Sequence, residues 1–270
     1  MTANSRLQAL VTGASSGIGA AFAERLAMDG YDLIIVARRA DRLKELAQSL
    51  MAQHHVSVDV LAADLGNSES LRTVEKRIAD NPALDLLVNN AGFGGYMPFV
   101  DLDPDKAEEL INVKVLAVTR LTRAALPAMV ARGGGSIINV SSRLAYSAPL
   151  GSAQLPKRAT YAGANAYINA FSQLLHSELE GTGVRVQALC PGLVATEFHS
   201  HVGADTSRFP AGMVMQPVDL VDASLKGLEL GEVICVPALE DVSILEQIHD
   251  QQRKFFETSR TGGVAARYKQ

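Results

Sequence analysis

Seven short apolar runs of five to eight residues recur along the chain, separated by stretches with helical periodicity. The runs are Gln8–Thr12, Tyr31–Ala37, Val56–Ala63, Leu84–Asn89, Ser136–Ser141, Val184–Cys190 and Glu232–Val236. Their near-continuous Val, Ile and Leu content fits parallel strands covered on both faces, because a strand with one wet face would alternate. Between them, Ile18–Met28, Arg42–Gln53, Asp105–Arg132, Tyr161–Glu180 and Leu220–Leu228 repeat apolar residues at helical spacing. Repeated β-α units of this kind predict one doubly wound parallel α/β sheet of about seven strands, helices on both faces. Residues 1–270 are therefore expected to form a single domain. Two segments break the rhythm: the loop 147–158, with Pro149, Gly151 and Pro156, and the connection 193–216, with Phe198, Phe209, Met213, Val214 and Met215. Connections this long usually bind something or are disordered.

Composition narrows the function. A chain of 270 residues buries roughly three quarters of the surface it exposes when unfolded. No stretch reaches the ~20 apolar residues that span a bilayer, and the start offers no signal-peptide core, so a cytoplasmic protein without membrane attachment is expected. Net charge is −4 with Lys and Arg dispersed, which argues against a nucleic-acid partner. Cys190 and Cys235 fall in apolar strand patterns and read as buried thiols. His199 and His201 lack a third ligand at suitable spacing, so no metal is expected.

Three motifs carry chemistry. The first is Thr12-Gly13-Ala14-Ser15-Ser16-Gly17-Ile18-Gly19, directly after an apolar strand; the second is Asn89-Asn90-Ala91-Gly92. The third joins Ser142, at the end of its strand, to Tyr161-Ala162-Gly163-Ala164-Asn165 on a helix. Together they resemble the short-chain dehydrogenase/reductase family. Glycines let a strand-to-helix turn approach a pyrophosphate, and the helix behind it offers free N–H groups to the anion. The second strand ends in Arg38-Arg39, where an NAD-selective fold would place an acid for the ribose. Two guanidinium groups favour a 2′-phosphate, so NADP(H) is the expected cofactor and Arg38 its expected contact. As plain solvated charges opening a helix, the same two residues would carry no such meaning. By resemblance, Gly13, Ser15, Gly17, Ile18 and Gly19 would surround the pyrophosphate, Asp64 would meet the adenine, and Asn90 and Gly92 the adenosine ribose. Val194 and Thr196 would sit beside the nicotinamide, with Tyr161 and Asn165 completing the set.

The resemblance makes Tyr161 the proton donor and Ser142 the group that holds the substrate oxygen. A free phenol titrates near 10, so a neighbouring cation is needed to make it useful near neutrality. The family places lysine where Asn165 stands. It places asparagine on the preceding long helix, 22 residues beyond Gly92 and 28 before Ser142, and that spacing lands on Lys114. Asn112 lies two residues away, about 200° around a helix, and would face elsewhere. A Lys/Asn exchange is similar to that in the ketoreductase domains of polyketide synthases and gives the tetrad Ser142, Tyr161, Lys114 and Asn165. Val113, Val115, Leu116 and Val118 around Lys114 are apolar, so the lysine is expected to be buried. Lys157 and Arg158 are the alternative cations.

Two functions fit these residues. One is an NADPH-dependent reductase of a small apolar ketone or aldehyde, with Phe93, Tyr96, Met97 and Phe99 joining the 193–216 connection, the substrate lid by resemblance, in an apolar pocket. The other is an NADP(H)-binding regulator that has lost reduction. A homodimer or homotetramer through the helices of Asp105–Arg132 and Tyr161–Glu180 is implied by the resemblance. The stretch from Ser243 to Gln270 is expected to be partly disordered.

Overall fold

The structure is a computed structural model that describes residues 6–151, 155, 157–197 and 212–269. The described residues up to Pro237 form one compact unit, and those from Ala238 a second. In the first, β1 (Gln8–Thr12), β2 (Asp32–Ala37), β3 (Val58–Ala62), β4 (Leu84–Asn89), β5 (Gly135–Val140), β6 (Val184–Leu189) and β9 (Ile234–Cys235) build a seven-stranded parallel sheet. Its order is β3-β2-β1-β4-β5-β6-β9, so the direction of winding reverses between β1 and β4. In open α/β sheets that reversal opens a crevice at the carboxyl ends of the strands, and ligands bind there.

Each face of the sheet is covered. Phe22 and Leu26 of α1 (Gly17–Met28), Leu43 and Leu50 of α2 (Ala40–His54), and Leu220 and Leu228 of α7 (Pro217–Leu230) share one core with Ala9, Val11 and Ile35. Leu71, Val74 and Ile78 of α3 (Ser68–Ala79) and Leu121, Ala125 and Met129 of α5 (Val118–Arg132) form the other with Leu10, Val36 and Leu87. Fully burying side chains of this size gains about 1.5–3 kcal/mol each, which is what fixes the helices to the sheet. The α3 helix was not among the segments read from sequence; Asn67 caps it by accepting from the N–H groups of Glu69 and Ser70.

Three departures from the sequence pattern matter. The long helical segment expected over Asp105–Arg132 is composite: α4 (Pro104–Ile111), a π-helical turn (Asn112–Ala117) and α5. Lys114 sits in that wide turn, a geometry often found at functional sites. The ends of the 193–216 connection are tied together, with β7 (Leu193–Val194) pairing in parallel with β8 (Val214–Met215) and Ala195 N–H donating to Met215 O at 2.9 Å. Phe198, His199, His201 and Phe209 lie outside the described residues. In the second unit, the expected disorder gives way to α8 (Ser243–Ser259) and a 3₁₀ turn at Ala266–Tyr268, because Ile244, Leu245, Ile248, Phe255 and Phe256 recur at helical spacing. The remaining helix is α6 (Ala159–Glu178). Among the described residues, no helix is long and apolar enough to cross a membrane.

Candidate active site

The crevice at the winding reversal is a cavity of about 660 Å³. The loop after β1 forms one wall. Gly13 and Gly17 take left-handed φ values of 68° and 57°. A Cβ on Gly13 would stand 2.8 Å from Asn90 Nδ2, and one on Gly19 would stand 2.3 Å from Gly13 O. The loop is thus packed against Asn90, whose Nδ2 donates to Thr12 O at 2.9 Å, while Thr12 Oγ1 accepts from the N–H groups of Asn90 and Ala91. Among the described residues no side chain caps α1, its first turn holds no acid, and Ser16, Gly17 and Ile18 line the cavity, so its N-terminal N–H groups are open to an anion there. That is a cradle for a phosphate diester. Among the residues expected at the dinucleotide, all line the cavity except Gly19, which packs beneath the loop, and Asn165.

The two arginines after β2 divide their contacts. Arg38 extends along the rim and pairs with Glu109 at 3.1 Å. Arg39, which sequence reasoning ranked behind Arg38, reaches back to the glycine loop, donating to Ser15 Oγ at 2.9 Å and Ser16 Oγ at 2.6 Å. A third contact joins it to Glu197 at 3.2 Å. Both line the cavity, so two guanidinium groups are available there to an anion. The signal for Arg39 was present in the sequence, but the direction of its side chain was not. Asp64 also lines the wall, its Oδ1 accepting from Gly66 N–H.

At the opposite end, Ser142, Tyr161 and Lys114 meet the same cavity. Ser142 follows β5 and caps a short 3₁₀ turn, Arg143–Tyr146, by accepting from Leu144 N–H at 3.1 Å. Tyr161 opens the first turn of α6 and is buried. Burial pushes its phenol above the ordinary range, while hydrogen bonds with Ser142 and Tyr96 act in the opposite sense. Lys114 is 4% exposed, and its Nζ donates to Val140 O at 2.9 Å. Its aliphatic stem lies against Gly92, where a Cβ would come within 2.9 Å of Lys114 Cδ. Desolvation lowers the ammonium to about 8, and the nearby Cys190 works weakly the other way. Asn165 is fully buried behind Tyr161; its Nδ2 donates to Tyr161 O at 2.8 Å, and among the described residues its Oδ1 has no hydrogen-bond partner. Of the alternative cations, Arg158 is buried with Nε on Ser147 Oγ at 2.8 Å and Nη2 on Ser147 O and Leu150 O, and Lys157 is exposed. Neither lines this cavity.

The family model described as short chain dehydrogenase matches residues 8–207. The chain belongs to the short-chain dehydrogenase family. Among similar proteins, the very-long-chain 3-oxoacyl-CoA reductase of Anas platyrhynchos is 34% identical over 194 residues, 70% of this chain and 60% of the relative. The inactive hydroxysteroid dehydrogenase-like protein 1 of Homo sapiens is 32% identical over 190 residues, 70% of this chain and 56% of the relative. This short-chain dehydrogenase therefore spans about 60% of the length of the curated relatives it matches. Solved structures agree over nearly the whole fold. A short-chain dehydrogenase from Sphingobium yanoikuyae in complex with NADPH superposes with a TM-score of 0.90 at 35% identity, covering 97% of this chain and 100% of the other. The bulky-bulky ketone specific alcohol dehydrogenase from Comamonas testosteroni gives 0.87 at 32% identity, covering 97% and 98%.

Proposed function

We propose that the protein is an NADP(H)-dependent reductase of ketones and aldehydes in which Tyr161 gives the proton, Ser142 holds the carbonyl oxygen and Lys114 supplies the positive charge. The observation that carries the reading is Lys114: a lysine buried on the cavity wall that meets a backbone carbonyl and, among the described residues, forms no ion pair. Burying a charge in that way costs several kcal/mol, and a fold keeps such a cost where the charge is used. The uncapped end of α1 suits the pyrophosphate, and Arg38 and Arg39 suit a 2′-phosphate. When bound, NADPH supplies the hydride. The chain's own groups then act on the oxygen: Ser142 fixes it by a hydrogen bond and the Tyr161 O–H bond breaks as the alcohol O–H forms. The Lys114 ammonium makes the resulting tyrosinate less costly. Phe93, Leu144, Leu193 and Met213 line the cavity and suit an apolar, bulky carbonyl compound, the class in the name of the Comamonas enzyme. Exposed Leu116 and Leu174 and half-exposed Tyr167, on the π turn and α6, suit pairing with a second copy of the chain.

The second reading, cofactor binding without reduction, is favoured by Asn165 in the place of the family lysine and by a relative that bears the word inactive in its name. NADPH oxidation with a panel of aryl and alkyl ketones separates the two. The reductase reading expects turnover that Lys114→Ala removes while NADPH still binds. Turnover with none of the ketones by the wild type would leave only the second reading.

A further inference from the structure

Tyr96 belongs to the segment that follows β4, in a stretch the sequence suggested only as pocket lining. Its ring lies edge-on to that of Tyr161, with centroids 5.2 Å apart and planes inclined at 67°. Both rings pack with Leu110, Ala164, Phe93 and Leu144, and both line the cavity that holds Ser142. An edge-on pair of phenols at this separation, both lining one cavity, can bring one hydroxyl within reach of the other. The direction of that contact follows from chemistry. Burial raises both phenols, but their mutual contact raises Tyr96 further and acts to lower Tyr161, so Tyr161 is the one of the pair whose ionised form the contact favours.

We propose that Tyr96 is a second catalytic phenol, whose O–H donates to the Tyr161 oxygen and stabilises the tyrosinate left after proton transfer. The proposal rests on the reductase reading of the same site. No proton leaves Tyr96: the Tyr161 O–H bond breaks, the substrate O–H bond forms, and the Tyr96 hydrogen bond shortens onto the new anion. A donor here does locally part of what a lysine in place of Asn165 would do. Lys114 Nζ, held on Val140 O, contributes charge, and Tyr96 contributes a directed hydrogen bond.

The variant Tyr96→Phe keeps the ring, the edge-on packing and the cavity wall, and removes only the donor. Two measurements are made on wild type, Tyr96→Phe and Tyr161→Phe. One is ultraviolet difference titration of the phenols in the protein alone, with the Tyr161 step identified by its loss in Tyr161→Phe. The other is kcat and KM against pH for ketone reduction and for oxidation of the product alcohol. Loss of a hydrogen bond to a charged oxygen is expected to lower kcat roughly 10- to 100-fold with little change in KM. It should also raise the Tyr161 titration, and the pH at which alcohol oxidation rises, by roughly one to two units. A rise in KM alone, with the titration unmoved, would overturn the proposal and make Tyr96 a wall of the pocket. Failure of the reductase reading looks different: wild type turns over no carbonyl compound, and a titration shift alone then leaves a hydrogen bond without a catalytic role.

Discussion

Replacing Lys114 by methionine tests the central electrostatic claim without any substrate. The side chain keeps most of its length and loses its charge. An amine lowered from its ordinary 10.5 to about 8 by desolvation binds its proton less well in the folded chain than in the unfolded one. Below pH 8 the folded state carries the full cost of the buried ammonium, about 3 kcal/mol at 1.36 kcal/mol for each unit. As pH rises from 8 towards 10.5, the folded amine is already neutral while the unfolded one still holds its proton, and the cost fades. Wild-type stability measured relative to Lys114→Met should therefore rise by roughly 2.5 kcal/mol between pH 7 and pH 10. Taking this difference cancels groups common to both proteins. Cys190, which is coupled to the lysine, is pushed up to about 12 and remains a thiol across the window. At pH 7 itself the net effect is smaller, because the variant leaves Val140 O without its donor, at about 1–3 kcal/mol. The assay is urea unfolding at several pH values, with slopes checked for equality. A difference that stays flat within about 0.5 kcal/mol would show that the ammonium is solvated and would remove the argument for its burial.

Two further outcomes follow from the geometry. Gly92→Ala places a Cβ 2.9 Å from Lys114 Cδ, which only the lysine can relieve. It should cost about 1 kcal/mol in unfolding experiments while lowering kcat at unchanged NADPH affinity; a loss of affinity with kcat intact would point to the ribose instead. Arg39→Ala removes the guanidinium that bridges Ser15 and Ser16, so fluorescence titration should show NADPH binding weakened by roughly 10-fold or more and NADH binding nearly unchanged. Equal loss for both cofactors would refute a 2′-phosphate contact.

The order of the seven sheet strands was legible in the sequence because parallel strands buried on two faces leave continuous Val, Ile and Leu runs, as in Ile34-Ile35-Val36 and Ile137-Ile138, whereas the more polar α3 was not. The glycine loop was equally plain, since left-handed backbone angles such as those of Gly13 and Gly17 strain most other side chains. Burial of Lys114 could be expected from its apolar neighbours. What no spacing could supply was where its amine ends: in a π turn, against Gly92, on Val140 O, a residue 26 positions away that arrives only through the sheet. Periodicity also ran α4, that turn and α5 together, because helices of different pitch present similar apolar patterns over so short a length. The apposition of Tyr96 and Tyr161, and the reach of Arg39 rather than Arg38 to the glycine loop, were likewise decided by tertiary packing. Local patterns set which backbone each segment adopts. The direction of a long or aromatic side chain depends on which distant segments surround it, and that information exists only once the sheet has assembled.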